Sequence, residues 1–169
     1  ISGMRQKMNE KNDLIKEGFI SFLFFGKSPL APGTFGSFGA LIVSYLIVEN
    51  ISDYSGYLLL LLAGMFYYGG MQIAPWCEKK YGKDPGIYVI DEVIGYLITI
   101  GFLLLCEVEM NQTLWILSFL FFRIFDVLKI WPAKDLEKLE GGHGIILDDV
   151  AAGIQTLIAL LLLIQFNVL

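Results

Sequence analysis

Histidine and cysteine are nearly absent from this 169-residue chain, which contains one histidine and two cysteines. Zinc sites are usually built from several His and Cys ligands, so the sequence offers no plausible set for one. Cys77 and Cys106 show neither disulfide nor metal-ligand spacing, and we interpret both as packing residues. The net charge of −5, without a basic patch, also argues against nucleic-acid binding.

Lysine and arginine are missing from every second connection between the apolar segments. The chain is 56% hydrophobic with a mean hydropathy of +0.64, and its apolar stretches lie at 34–48, 57–75, 87–106, 113–130 and 150–168. The connections at 49–56 and 107–112 carry only acidic charges. Because cytoplasmic loops collect Lys and Arg, this pattern predicts five spans, with the N-terminus inside and the C-terminus outside.

The predicted fold class is all-α: a polytopic membrane helical bundle of about five spans, forming a single domain over 1–169. An N-terminal amphipathic interfacial helix is expected at 13–25, with Asp13 as its N-cap. The alternatives are a disordered tail there, and a soluble bundle whose helices are buried on all sides. Residues 1–3, before Met4, resemble a remnant of cloning.

Ionisable side chains lie inside three predicted spans, where each costs about 2.5–3.5 kcal/mol on insertion scales. All fall near the cytoplasmic end, and they are Asp91, Glu92, Arg123, Asp126, Lys129, Asp148 and Asp149. Structural interpretations exist for each group: Asp148 or Asp149 as a helix cap, Arg123 and Asp126 as an ion pair between helices, Glu92 as a side chain extending to the interface. All of these residues are predicted at the same depth in the membrane, which favours one functional site over separate structural roles.

Five carboxylates in one region repel each other, and Arg123 and Lys129 neutralise only two of them. A hard cation with oxygen ligands is the usual remedy, and Mg²⁺ bound by carboxylates suits phosphoryl chemistry. We therefore predict a Mg²⁺ site, with the ligands Asp91, Glu92, Asp148 and Asp149. Asp126 is expected to act as a further ligand or as a base.

Basic and backbone groups are predicted to bind the phosphate. Arg123 offers a fork of donors and Lys129 a point charge, with Lys83 in support. Thr34 and Ser37 follow a Pro-Gly turn and are predicted to cap the first spanning helix, whose free N–H groups favour an anion. An ordinary basic residue beside the membrane is the alternative for Lys83.

Other phosphatase chemistries lack their residues in this chain. Cysteine-nucleophile enzymes need Cys-x5-Arg, but the sixth residue after Cys77 is Lys83 and after Cys106 is Gln112. The Asp-x-Asp motif of aspartyl-phosphate hydrolases occurs nowhere, and a histidine-nucleophile enzyme would need a second histidine beside His143. Both direct water attack and an aspartyl-phosphate intermediate stay open.

An ordered set of motifs spans residues 31–153. The pieces are Ala31-Pro32-Gly33-Thr34 with Gly36-Ser37, Lys83-Asp84-Pro85, Ile90-Asp91-Glu92 with Gly95, Phe122-Arg123-Ile124-Phe125-Asp126 with Lys129 and Trp131-Pro132, Gly142 to Gly144, and Asp148-Asp149-Val150-Ala151-Ala152-Gly153. In these pieces and their order the chain resembles the phosphatidylglycerophosphatase A family. One departure is Ile130, where the family usually has proline.

The resemblance implies a Mg²⁺-dependent enzyme of the bacterial inner membrane that hydrolyses phosphatidylglycerophosphate to phosphatidylglycerol and phosphate at the cytoplasmic face. The implied catalytic residues are Asp91, Glu92, Asp126, Asp148 and Asp149, and the implied substrate-binding residues are Lys83, Arg123, Lys129, Thr34 and His143. Loops 28–37 and 141–147 would cover the head group. Phe121, Phe122 and Phe125 would hold the acyl chains.

Two other functions fit the residues. One is a phosphatase of another lipid phosphate or diphosphate. The other is a small ion-coupled carrier whose buried charges form a cation path, although a carrier should place those charges near the bilayer midplane.

Overall fold

A computed structural model describes residues 2–51 and 53–168, with side chains from residue 8 onwards. Within these ranges the chain is all-helical, as predicted, with seven α-helices, one short 3₁₀-helix at Phe25–Lys27 and no strand. In chain order the α-helices are α1 Ser2–Ile20, α2 Pro32–Asn50, α3 Ser55–Tyr81, α4 Ile90–Leu105, α5 Gln112–Leu128, α6 Ala133–Leu136 and α7 Gly142–Gln165.

Five of these helices lie where the apolar stretches were predicted. By length and composition, α2, α3 and α7 are each able to cross a membrane. α4 and α5 are shorter, at 16 and 17 residues. α4 occupies the centre and packs against α2, α3, α5 and α7, so that Tyr96, Leu97 and Ile100 are fully buried. A helix buried on most sides needs apolar residues on most sides, which the continuous run in this segment provides.

The start of α1 differs from the prediction. The helix begins at Ser2 and ends at Ile20, so Asp13 lies in its interior and is not its N-cap. Asp13 instead accepts hydrogen bonds from Trp76 Nε1 at 3.2 Å and from Lys80 Nζ at 2.9 Å, both on α3.

Glu17 adds a second link between α1 and its neighbours. Its carboxylate binds Lys80 at 2.9 Å and Lys27 at 2.6 Å. Chiefly through the hydrogen bond from Lys27, the pKa of Glu17 is lowered to about 2, so the side chain is ionised at neutral pH. The pair with Lys80 holds α1 beside the C-terminal end of α3, and the pair with Lys27 links α1 to the 3₁₀-helix.

Two further helices begin earlier than predicted. α2 starts at Pro32. The first N–H groups of a helix have no partner within it, so a proline without an N–H is tolerated there. Thr34 and Ser37 therefore lie within the helix and do not cap it. α7 starts at Gly142, well before residue 150. Its first turn therefore replaces the loop expected at 141–147, and Asp148 and Asp149 do not cap it.

The two cysteines behave differently from each other. Cys77 is buried in the core, as predicted, and Cys106 is exposed just beyond the end of α4. The prediction that Cys106 is a packing residue is therefore wrong.

α4 and α7 run in the same direction and touch through glycine backbone. A Cβ atom on Gly95 would lie 2.4 Å from the carbonyl oxygen of Asp149, and one on Gly153 would lie 2.4 Å from the carbonyl oxygen of Gly95. The Thr99 hydroxyl lies 2.9 Å from the Gly153 carbonyl and 3.0 Å from that of Gly95. Small residues allow helix backbones to approach this closely.

Replacing Gly153 by Ala should push α7 away from α4. Two helix backbones cannot yield as a flexible side chain can, so we expect a loss of about 1–3 kcal/mol in the free energy of unfolding. The matched control is Gly64→Ala on α3, where a Cβ meets nothing within 4 Å. Thermal unfolding in detergent checks both variants, and equal melting temperatures for them would contradict the close contact.

Candidate active site

The glycine contact between α4 and α7 sets the position of two carboxylates. Asp91 lies four residues before Gly95, and Asp149 lies four residues before Gly153. Because the helices run in the same direction, one turn back from the contact brings both carboxylates to the same point. Asp91, Glu92 and Asp149 each place a carboxylate oxygen within 4.8 Å of the others.

These carboxylates line a cavity of about 350 Å³, which we call the acidic cavity. It lies between the starts of α2 and α4, the end of α5, and the second turn of α7. Its acidic and basic lining consists of six carboxylates and two basic side chains: Asp84, Asp91, Glu92, Asp126, Asp148, Asp149, Arg123 and Lys129. Seven of the ten predicted site residues therefore meet in one place, all of the set except Thr34, Lys83 and His143.

The donor set of the acidic cavity fits a hard cation. Asp91 and Asp149 are 6% and 4% exposed, and Glu92 Oε2 is buried without a hydrogen-bond partner in the described part of the chain. Buried carboxylates that repel each other need a compensating charge, and carboxylate oxygens are the ligands that Mg²⁺ prefers. The structure does not bring Asp148 into this group of three, because its carboxylate binds Lys129.

Arg123 crosses the cavity from α5. Its Nη1 atom makes a close ion pair with Asp126, one turn on in the same helix, and lies 3.9 Å from Glu92. Nη1 also donates to Ser37 on α2 at 3.2 Å. Arg123 and Asp126 are thus paired within one helix and do not form the link between helices considered above. Among the described residues, the only side-chain hydrogen bond of Arg123 is made by Nη1, so Nη2 and Nε keep donors for a ligand.

Lys129 ends α5 and joins it to two other elements. Its backbone is left-handed, with φ of 45°, at the C-cap of the helix. The ammonium binds Asp148 on α7 at 2.8 Å and Glu137, which follows α6, at 2.7 Å. One of its three N–H donors therefore stays available. Glu137 was not predicted, since no pattern in the sequence relates it to Lys129.

The start of α2 forms one wall of the cavity. A Cβ atom on Gly33 would lie 2.0 Å from Glu92 Oε1 and 3.3 Å from Arg123 Nη1. Only glycine allows the backbone to approach the charged groups this closely. Gly33 lines the acidic cavity together with Ala31 and Pro32.

Three predicted residues lie elsewhere. Thr34 does not line the acidic cavity, although its neighbour Gly33 does. His143 points towards α3, where its Nδ1 lies 3.0 Å from the hydroxyl of Tyr67. Lys83 lines a neighbouring cavity.

Two lining residues were missed as site residues. Asp84 lies within a motif noted above but outside any span, so the membrane argument did not select it. Tyr88 is 3% exposed, and its buried hydroxyl has no partner among the described residues. A tyrosine just before an apolar helix resembles an ordinary interfacial aromatic, and only its place beside the carboxylates distinguishes it.

Comparisons with known proteins agree with the geometry. Residues 18–164 match the family described as Phosphatidylglycerophosphatase A. A protein of Bacteroides thetaiotaomicron named "Putative phosphatidylinositol-3-phosphatase" is 34% identical over 86% of this chain and 88% of its own length. The Phosphatidylglycerophosphatase A of Escherichia coli is 33% identical over 91% and 84%, and that of Haemophilus influenzae 32% over 76% of each chain. No solved structure matches significantly.

Proposed function

Because the chain belongs to the phosphatidylglycerophosphatase A family, and is thus a phosphoric monoester hydrolase, we propose that it hydrolyses phosphatidylglycerophosphate to phosphatidylglycerol and inorganic phosphate. The observation that carries this proposal is the acidic cavity, in which Arg123 and Lys129 stand among six carboxylates. Such a lining combines anchors for a phosphate with ligands for a cation.

We propose that Asp91, Glu92 and Asp149 hold Mg²⁺. When bound, the cation supplies positive charge for the phosphoryl oxygens and increases the acidity of a water molecule. Asp126 is placed to hold Arg123 by its ion pair and faces the same cavity, so it serves as a positioning residue or as a base.

The free edge of Arg123 is the anchor that we assign to the terminal phosphate. Asp126 and Ser37 hold Nη1, which fixes the plane of the guanidinium and presents Nη2 and Nε as a fork. The remaining N–H of Lys129 faces the same cavity. A fork and a point charge on two sides restrict how a phosphate can rotate.

A helical membrane bundle of five spans is the architecture that we propose, in the bacterial inner membrane with the acidic cavity towards the cytoplasm. α2, α3 and α7 have the length for a span. α4 is shorter than a usual membrane span. Its neighbours enclose it, however, so little of it would contact lipid. The charged site lies at the ends of α4 and α5 and not at their middles, which speaks against an ion-coupled carrier.

Cys106 provides a test of this topology with a native residue. It is exposed at the end of α4 opposite to the acidic cavity, so a membrane-impermeant maleimide should label it from outside in intact cells. In a Cys106→Ser background, Lys79→Cys should react only after lysis. Labelling of Cys106 only after lysis would contradict the topology.

The acyl-chain contacts need one correction. Phe122 is fully buried and packs edge-on against Tyr96, with ring centroids 5.8 Å apart. It therefore belongs to the core and cannot hold a lipid. Phe121 and Phe125 are partly exposed and contact each other on α5, and they remain the residues that we propose for this role.

The substrate assay decides between the relatives' activities. Purified protein with Mg²⁺ in detergent micelles should hydrolyse phosphatidylglycerophosphate with a kcat/KM about tenfold or more above those for phosphatidic acid, undecaprenyl diphosphate and phosphatidylinositol 3-phosphate. The last lipid is included because of the name of the Bacteroides relative. Faster turnover of any competitor would overturn the proposed substrate and leave a lipid phosphatase of another specificity.

A further inference from the structure

A second cavity of about 420 Å³ lies beside the acidic cavity, and we call it the lysine cavity. It is formed by the end of α3, the loop that follows α3, the segment from α6 to residue 139, and the start of α7. Its charged lining residues are Lys83, Lys134, Lys138, Glu78, Asp84 and Glu137.

The two cavities adjoin each other. Asp84 and Ile145 line both of them. Glu137 of the lysine cavity accepts a hydrogen bond at 2.7 Å from Lys129, which lines the acidic cavity. The boundary between the proposed hydrolytic site and the second space therefore includes Asp84, Ile145 and the pair of Lys129 with Glu137.

Two cations of the lysine cavity have no partner. Lys138 binds Asp135 at 2.6 Å, and Glu137 is occupied by Lys129. Within the described part of the chain, Lys83 and Lys134 make no ion pair and no side-chain hydrogen bond. Both lysines are exposed and line the same concave space, so each ammonium has three N–H donors that can bind an anion there.

We propose that the lysine cavity is a second phosphate subsite, in which Lys83 and Lys134 bind a phosphate group next to the hydrolytic site. The inference rests on the proposed function, which provides two sources of such a group. One is the phosphodiester that joins the head group to diacylglycerol, and the other is the inorganic phosphate that hydrolysis releases. Glu78 and Asp84 carry two negative charges against the two positive charges of Lys83 and Lys134, so we expect phosphate to bind weakly and reversibly within a catalytic cycle.

The test uses the double variant Lys83→Ala/Lys134→Ala with three probes: phosphatidylglycerophosphate, phosphatidic acid, which lacks a phosphodiester, and inorganic phosphate as product inhibitor. If the phosphodiester occupies the subsite, the ratio of KM for phosphatidylglycerophosphate to KM for phosphatidic acid rises about tenfold. If released phosphate occupies it, the inhibition constant of inorganic phosphate rises about tenfold instead. A double variant in which neither the KM ratio nor the inhibition constant changes overturns the proposal.

Two controls make the result specific. Lys79→Ala removes an exposed lysine of the same helix end that lines neither cavity, and it should change neither quantity. Lys83→Arg/Lys134→Arg keeps the charges and should restore the wild-type values. A double alanine variant with an unchanged melting temperature shows that the effect is not misfolding.

The phosphate subsite can be tested even if the proposed lipid hydrolysis is not observed. If the wild-type protein hydrolyses neither lipid, the subsite is judged by titrating inorganic phosphate into wild-type protein and into the double variant in a calorimeter. Weaker binding by the variant supports the subsite, and equal binding overturns it.

Discussion

Replacing Asp149 by Asn lowers kcat by about 10²–10³-fold, because the proposed cation loses a charged ligand and the phosphoryl oxygens lose the charge that stabilises them. The substitution conserves shape, so the contact between α4 and α7 is retained. Glu109→Gln is the charge-matched control, since Glu109 is an exposed carboxylate beyond the opposite end of α4 that lines neither cavity. It should leave kcat unchanged. Activity is measured as phosphate released over a range of Mg²⁺ concentrations.

Thermal unfolding gives a second readout for Asp149→Asn that does not depend on turnover. Without cation, Asp91, Glu92 and Asp149 hold oxygens within 4.8 Å of each other, and like charges at that distance repel. The metal-free variant should therefore melt at a higher temperature than the metal-free wild type. Adding Mg²⁺ should raise the melting temperature of the wild type and have little effect on the variant.

EDTA provides the complementary test on the unmodified protein. Exhaustive treatment should remove the activity, and Mg²⁺ should restore it. Full activity after EDTA, or an equal thermal response of wild type and Asp149→Asn to Mg²⁺, would show that these carboxylates do not hold a catalytic cation.

Arg123→Lys should lower kcat/KM by about 10²-fold or more, although the charge is kept. A lysine has a single nitrogen, which Asp126 and Ser37 would still attract, so no fork would remain for the phosphate. Arg123→Ala should lose at least as much, and added guanidinium should restore part of its activity while methylammonium should not. Steady-state phosphate release with each additive measures this.

A purely structural role of Arg123 would give a different result. If Arg123→Ala keeps near wild-type activity but melts at a lower temperature, and Asp126→Asn suppresses that loss of stability, the arginine is only a structural partner of Asp126. The double variant Arg123→Ala/Asp126→Asn completes the cycle.

The sequence alone predicted the five long apolar helices and most of the charged residues of the site. Long apolar runs separated by short connections predict helices with little ambiguity, and each of the five predicted stretches contains a helix over most of its length. Carboxylates and an arginine within such runs are expensive unless they serve a function, so they identified seven lining residues of the acidic cavity. The sequence also shows that Gly95 and Gly153 each follow an acidic residue by four positions. It does not show that these two glycines touch in the folded protein.

Helix boundaries required the structure. α7 begins at Gly142 and α1 at Ser2, so neither helix starts at the residue that local capping signals indicated. The early start of α7 changed the role of Asp148 and Asp149 from possible caps to cavity residues. It also turned His143 towards Tyr67.

Tertiary structure alone decided which neighbouring side chains share a cavity. Asp148 and Asp149 are adjacent in sequence, yet Asp148 binds Lys129 whereas Asp149 faces Asp91. Lys83 lies one residue from Asp84, and only Asp84 reaches the acidic cavity. Asp148 and Asp149 lie on a helix, which turns by about 100° per residue, so their side chains face different partners. Lys83 and Asp84 lie in the loop between α3 and α4, where the backbone of Asp84 is left-handed with φ of 47°. Which face meets which partner depends on how closely the helices pack, and here the backbone contact of Gly95 with Gly153 sets that register.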